Sequence, residues 1–144
     1  MPEPPITYRG VVYPWQCDQM GHMNVTFYTA KFDEATWQLF ARIGLTPTYL
    51  REQQRGMAAV MQKTSYKREL RSGDVVTVRS SVVNIRDKVI QFHHEMVNDE
   101  SGELAATTTI TGVHMDLGTR KSCPFPDEIV QLGQAMILEN PSTE

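Results

Sequence analysis

The sequence predicts an α+β domain, in which one long apolar helix packs on a single antiparallel sheet. Three observations point there. Tyr28, Phe32, Ala35, Leu39 and Ile43 recur at spacings of four, three, four and four, which is one helical stripe. Downstream, "VVTVRSSVVNI" and "VIQFHHEMVN" alternate apolar and polar residues, the period of a half-buried strand. The turns "SGD", "RDK" and "DESG" separate consecutive extended runs, and connections that short require antiparallel strands.

Each element follows in order. A short strand is expected over Thr7 to Tyr13, and then a polar loop, "WQCDQMGHMN". "VTFYTAKFDEATWQLFARIGL" is the long helix. Phe27, Trp37 and Phe40 widen its apolar surface, so other elements are expected to embrace it, and Gly44 is its stop. "TPTYLREQQRG" reads as a short helix capped by Thr46, with Pro47 in the first turn and Gly56 at its end. "MAAVMQKTSYKREL" is a strand, followed by one with Val76, Val78 and Val82 on its core face and Thr77, Arg79 and Ser81 on the other. In the next, Ile90, Phe92, His94 and Met96 share a face. "ELAATTTITGVHMD" is a threonine-rich strand suited to a pleated surface. "PFPDEIVQLGQAM" closes with a short helix bearing Ile129, Leu132 and Met136 on one side.

The 144 residues fit one domain, 1–144, with an ordered core of roughly 6–138 between frayed ends "MPEPP" and "ENPSTE". A formal charge of −3 leaves no basic footprint, so no nucleic-acid partner is expected. The N-terminus lacks the regions of a secretory signal, and no apolar run is long enough to span a bilayer. Cys17 and Cys123 belong to no CxxC and are expected to be reduced in a cytoplasmic setting.

Chemistry concentrates in the loop before the long helix. Asn24 is a strong N-cap, with Met23 and Tyr28 placed for a hydrophobic staple. Gly21 permits a positive φ. Amides around Val25 to Phe27 then point out of the helix start, ready for an anion or a polarised carbonyl oxygen. Asp18 lies close upstream. A carboxylate beside free amide donors suits acyl transfer: the donors hold an oxyanion while the acid attacks or activates water. On these residues alone a second reading stays open, in which Asp18 only complements the helix dipole and His22 fills a polar gap.

"CDQMGHMNVTFY" resembles the signature of the 4-hydroxybenzoyl-CoA thioesterase family of hot-dog-fold proteins. Asp18, Gly21, His22, Asn24 and Tyr28 match it in register. Phe32, Asp33 and Ala35 match its helix, and "SYKRELRSGDVVTV", "SGELAATTTITGVHMD" and "RKSCPFP" resemble its later segments. The likeness runs from about Thr7 to Asp127. Gln16, Val25 and Thr36 stand where many relatives carry an acid, an Asn and an Arg.

The resemblance implies a hot-dog fold and an acyl-CoA thioesterase that releases free acid and CoA without a cofactor or metal. Asp18 would be nucleophile or general base, and the Val25 amide would polarise the carbonyl. Gly21, His22 and Asn24 would organise the loop. Trp15 and Tyr28 are candidates for the acyl pocket, Arg86, Lys88, Arg120 and Lys121 for CoA. It also implies a homodimer or dimer of dimers, consistent with an unpaired strand edge in the lone domain. Some hot-dog thioesterases draw their acid from the helix, which makes Asp33 or Glu34 the alternative. The rival functions are a non-catalytic acyl-thioester-binding module and a hot-dog dehydratase. Cys17 lacks the electropositive setting of a nucleophile. His93 and His94 point to opposite faces of one strand and cannot share a metal, and His94 and His114 read as satisfied core histidines.

Overall fold

The computed structural model describes residues 3–137. The elements are β1 (Ile6–Val11), a 3-10 turn (Pro14–Gln16), α1 (Val25–Arg42), α2 (Pro47–Glu52), β2 (Arg55–Tyr66), β3 (Val75–Arg86), β4 (Val89–Asn98), β5 (Leu104–Asp116), β6 (Lys121–Ser122) and α3 (Asp127–Gln134). The strands form one antiparallel sheet in the order β1-β3-β4-β5-β2, with β6 beside β5. The curled sheet carries α1 on its inner face, which is the hot-dog fold.

The predicted helical stripe is the face α1 buries. Tyr28, Phe32, Ala35 and Leu39 are buried within it, and Ile43 just past its end. The opposite face stays open: Asp33 and Glu34 are exposed and Trp37 is 44% exposed. The sheet wraps the stripe face of α1 as expected, and Trp37 is exposed because it lies off that stripe. Gly44 ends the helix with φ 93°, and the Leu45 amide returns to the Phe40 carbonyl at 2.9 Å.

Below α1 the core has two apolar clusters. One gathers Met23, Tyr28, Phe32, Leu70, Val78 and Met96 at the start of the helix. The other gathers Leu39, Ile43, Ile85, Phe92, Phe125 and Ile129 at its end. Between them a polar row crosses all five long strands: Thr7, Ser80, His94, Thr108 and Thr64. His94 is fully buried at its centre, bonded to Ser80 through Nδ1 and to Thr36 of α1 through Nε2 at 2.9 Å. Its ring also stacks on Phe32.

Several boundaries differ from expectation. β1 stops at Val11 because Pro14 starts a 3-10 turn that Tyr13 and Gln16 cap. α2 ends at Glu52, and Gly56 lies inside β2. The "SGD" turn does not join neighbours, since β2 and β3 are separated by β4 and β5. β2 ends at Tyr66, where the Lys67 and Arg68 amides both turn to the Ala105 carbonyl, and Leu70 drops into the core on the way across. Thr77 and Ser81, expected on a solvated face, are buried, Thr77 donating to Asp99 at 2.9 Å. In α3 the buried pair is Ile129 and Gly133, while Leu132 is 47% exposed. A Cβ on Gly133 would stand 2.9 Å from Ile85, so the helix reaches the sheet through glycine.

The N-terminal segment is tied down rather than frayed. The Arg79 guanidinium donates to the Pro4 carbonyl at 2.7 Å, and the Ser80 amide to Pro5 at 3.1 Å. The expectations for Met1, Pro2, Leu138 and "ENPSTE" lie outside the described residues.

Candidate active site

The loop is built by local bonds that its polar letters supply. Cys17 and Met23 form a bridge, closed by the Asp18 amide on the His22 carbonyl at 3.1 Å. Gly21 sits at φ 83°, and its amide returns to the Asp18 carbonyl at 2.9 Å. The Met23 amide bonds the Leu70 carbonyl at 2.7 Å, fixing the loop to the β2–β3 crossing.

Asn24 serves two masters. Its Oδ1 caps α1 by accepting from the Thr26 amide at 3.0 Å and the Thr26 hydroxyl at 2.7 Å. Its Nδ2 donates to Asp18 Oδ2 at 2.8 Å, while the Met20 amide donates to Asp18 Oδ1 at 2.9 Å. The Asn24 bond, then the Met20 bond, hold the Asp18 carboxyl below its usual range, with a smaller pull from His22. Asp18 is therefore a carboxylate at neutral pH.

Of the three amides anticipated at the helix start, two are spoken for. Thr26 is capped, and the Phe27 amide turns to the Asn24 carbonyl at 3.0 Å. Among the described residues the Val25 amide has no hydrogen-bond partner, and Val25 is 53% exposed. It carries the positive end of an 18-residue helix.

Asp18, His22, Asn24, Val25 and Tyr28 line one cleft of about 520 Å³. Tyr28 is buried, its hydroxyl donating to the Arg68 carbonyl at 3.2 Å and its ring edge-on to Tyr66. His22 Nε2 meets Glu69 Oε2 at 2.7 Å across the rim. Tyr66, Lys67, Arg68 and Glu69 form the facing wall. Sequence reasoning quoted this "YKRE" run for its resemblance without placing it at the site. Its signal was four polar residues running on from a strand and followed by a fully buried Leu70.

The other candidates lie elsewhere. Trp15 is 69% exposed, stacked on Tyr13 and edge-on to Phe27, outside the cleft lining. Arg86 and Lys88 flank the far end of β3, about 36 Å along the strand from Val75, which follows the crossing. Arg120 and Lys121 follow β5 at that same far end, where the Asp87 carbonyl accepts from Phe125 at 2.8 Å. One chain thus does not bring these four bases to Asp18. Asp33, the alternative acid, is exposed in the single chain and lines a separate pocket. Cys17 Sγ faces the Tyr13 carbonyl at 3.9 Å, and the residue packs against the apolar cluster at the start of α1. His114 is buried between Tyr49 and the Cys123 carbonyl, at 3.0 and 2.9 Å.

Comparison with known proteins agrees with a thioesterase of this fold. The family model described as the thioesterase-like superfamily matches residues 12–132. A betainyl-CoA thioesterase of Pseudomonas aeruginosa is 27% identical over 130 residues, covering 90% of this chain and 82% of that protein. A fused L-carnitine dehydrogenase/betainyl-CoA thioesterase of Agrobacterium fabrum is 28% identical over 116 residues, 79% of this chain and 23% of that protein. Among solved structures, a Staphylococcus aureus protein in complex with CoA superposes with TM-score 0.88 at 20% identity, covering 100% of this chain and 91% of that one.

Proposed function

We propose, from the premise that this chain belongs to the thioesterase-like superfamily and is a thioester hydrolase, that Asp18 and the Val25 amide hydrolyse an acyl-CoA to free acid and CoA. The observation that carries this reading is the meeting, in one cleft, of a carboxylate held ionised by Asn24 and Met20 with an uncommitted amide of the α1 N-terminus.

The thioester carbonyl oxygen accepts from the Val25 N–H, and the amide and helix dipole hold the charge that develops there. An Asp18 oxygen attacks the carbonyl carbon. The tetrahedral intermediate collapses, the C–S bond breaks, and CoA leaves as a thiolate that takes a proton from water. Water then cleaves the acyl-aspartyl anhydride and restores Asp18. General-base activation of a water by Asp18 is the alternative course; the bonds that lower its pKa weaken the carboxylate in both roles, and trapping of an acyl-enzyme distinguishes them. Gly21 sets the turn, Asn24 joins the cap to the carboxylate, and His22 ties the loop to Glu69.

Betainyl-CoA, the substrate in the names of both curated relatives, is the first thioester to assay. A second copy pairs along β2, a 12-residue edge strand with Val60 and Met61 exposed at 62% and 66%. Among the described residues no helix is long and apolar enough to cross a membrane, and the proposed setting is the cytoplasm. The dehydratase alternative gains nothing from His93 and Glu95, which share the sheet face away from α1. The test is thiol release from a panel of acyl-CoA thioesters: turnover supports hydrolysis, and binding without release supports the binding-module alternative.

A further inference from the structure

Once Asp18 is tied into an acyl anhydride, it can no longer take a proton from the water that must cleave that anhydride. Another proton acceptor is then needed in the same cleft. Among the residues that line it, Lys67 and Arg68 are cations without a lone pair to offer, and a phenol oxygen, as on Tyr28 and Tyr66, is a poor base. Two groups remain, His22 and Glu69, and they are bonded to each other: His22 Nε2 stands 2.7 Å from Glu69 Oε2. That contact fixes the ring. A nitrogen so close to a carboxylate oxygen carries a hydrogen, because two lone pairs cannot face each other. In the neutral imidazole the basic lone pair is therefore on Nδ1, which has no hydrogen-bond partner among the described residues.

The loop sets this ring beside Asp18. Cys17 and Met23 face each other in a bridge, and both pack into the apolar cluster at the start of α1. Their neighbours Asp18 and His22 leave on the other side and share the cleft with Val25. The Asp18 amide joins the two by donating to the His22 carbonyl at 3.1 Å, and His22 adds its pull to the charge of the Asp18 carboxyl. Glu69 is held from the opposite wall, since the next residue, Leu70, is buried and its carbonyl accepts from the Met23 amide at 2.7 Å.

We propose that His22 is the base of the second half-reaction and that Glu69 is the residue that positions it, a role that rests on Asp18 acting as the nucleophile. Water attacks the acyl carbonyl carbon of the anhydride, and one of its protons passes to His22 Nδ1. The bond from that carbon to the Asp18 oxygen breaks, Asp18 leaves as a carboxylate, and the free acid departs. The imidazolium then returns its proton to solvent. Glu69 keeps the tautomer that leaves Nδ1 open and stabilises the charge the ring acquires. The Glu69 side chain is 64% exposed, so water screens its share of that stabilisation.

The test is thiol release from the best acyl-CoA of the panel, before and during steady state, by the wild type, His22→Ala, Glu69→Ala and Glu69→Gln. A base used only in the water step leaves acylation untouched. His22→Ala is expected to lose about 10²-fold in kcat and Glu69→Ala roughly tenfold, with kcat/KM within about twofold of wild type, because that ratio reports only the steps up to departure of the thiol. Glu69→Gln, whose amide oxygen still accepts from Nε2–H, is expected to keep most of the wild-type kcat. Both alanine variants are expected to release a burst of about one thiol per site before slow turnover. Hydroxylamine, which attacks an anhydride without a base, is expected to restore their steady rate and to yield the acyl hydroxamate. Glu69 is exposed, so Glu69→Ala keeps the test open if His22→Ala does not fold. Equal losses in kcat and kcat/KM, with no burst and no hydroxamate, overturn the proposal while leaving the hydrolase reading standing. Wild-type kcat in folded His22→Ala overturns the base, and wild-type kcat in Glu69→Ala overturns the positioning role. Hydrolysis of no thioester by the wild type overturns the hydrolase reading itself and the proposal with it.

Discussion

Replacing Val25 by proline deletes one hydrogen atom of interest and almost nothing else. Val25 is the first residue of α1, where proline is well tolerated because its N–H has no intrahelical acceptor. The residue before a proline must be extended, and Asn24 already sits at φ −66°, ψ 146°. The Asn24 cap uses the Thr26 amide and is untouched. The Val25 side chain is half exposed, so little packing is lost. What disappears is the donor assigned to the thioester oxygen. Loss of one preorganised oxyanion donor lowers kcat by about 10²–10³, or roughly 3–4 kcal/mol of transition-state stabilisation. Steady-state thiol release from Val25→Pro is expected to show that fall, with helix content by circular dichroism and Tm close to wild type. Wild-type kcat in a folded Val25→Pro protein would refute the role of this amide. A collapse of Tm would refute the description of its N–H as uncommitted.

Two further outcomes follow from the polar groups. Burial, with a lesser push from His93, lowers the His94 pKa to about 3, so the native state keeps this ring neutral while the unfolded chain protonates it near its ordinary value. The stabilisation is complete above the unfolded pKa and is lost as pH falls towards the folded one, by about 2 kcal/mol on going from pH ~8 to pH ~5. Urea unfolding at fixed protein concentration is expected to show that loss in the wild type and a shallower one in His94→Gln; parallel pH curves would remove His94 as the cause. Asn24→Ala removes both the cap and the bond to Asp18, and is expected to cost about 1 kcal/mol of stability. The acidic limb of its kcat/KM profile should shift to higher pH, because Asp18 loses its principal stabilising donor; an unmoved limb would separate Asn24 from Asp18.

The fold was legible wherever one periodicity ran long enough. The stripe from Tyr28 to Ile43 and the period of two in β3 and β4 are strictly local signals, and the structure keeps the helix face and both strands, though Thr77 and Ser81 on the polar face of β3 are buried. Strand order is not local. "SGD" is a turn in sequence, yet the chain around it crosses from one sheet edge towards the other, burying Leu70 on the way. The exposure of Trp37 was not legible for a related reason: an aromatic residue counts as apolar in a pattern, although Trp37 lies off the buried stripe. At the site, Asp18, Gly21 and Asn24 were readable because each has a local job within seven residues. The facing wall from Tyr66 to Glu69 was not, because only the crossing segment carries it across the fold to Tyr28. The same gap in long-range information put Arg86, Lys88, Arg120 and Lys121 among the CoA candidates, at the end of the sheet remote from Asp18 in the same chain.

The central claim is that the Asp18 carboxylate performs the hydrolysis. Asp18→Asn is nearly isosteric, and its side-chain oxygen can still accept from Met20 or Asn24, so the loop is expected to hold. The direct measurement is thiol release from the best acyl-CoA of the panel by wild type and Asp18→Asn, alongside CoA binding by calorimetry. The account predicts turnover in the wild type, and in the variant retained binding with kcat reduced by at least ~10³. An Asp18→Asn enzyme that binds CoA and turns over at the wild-type rate would contradict it.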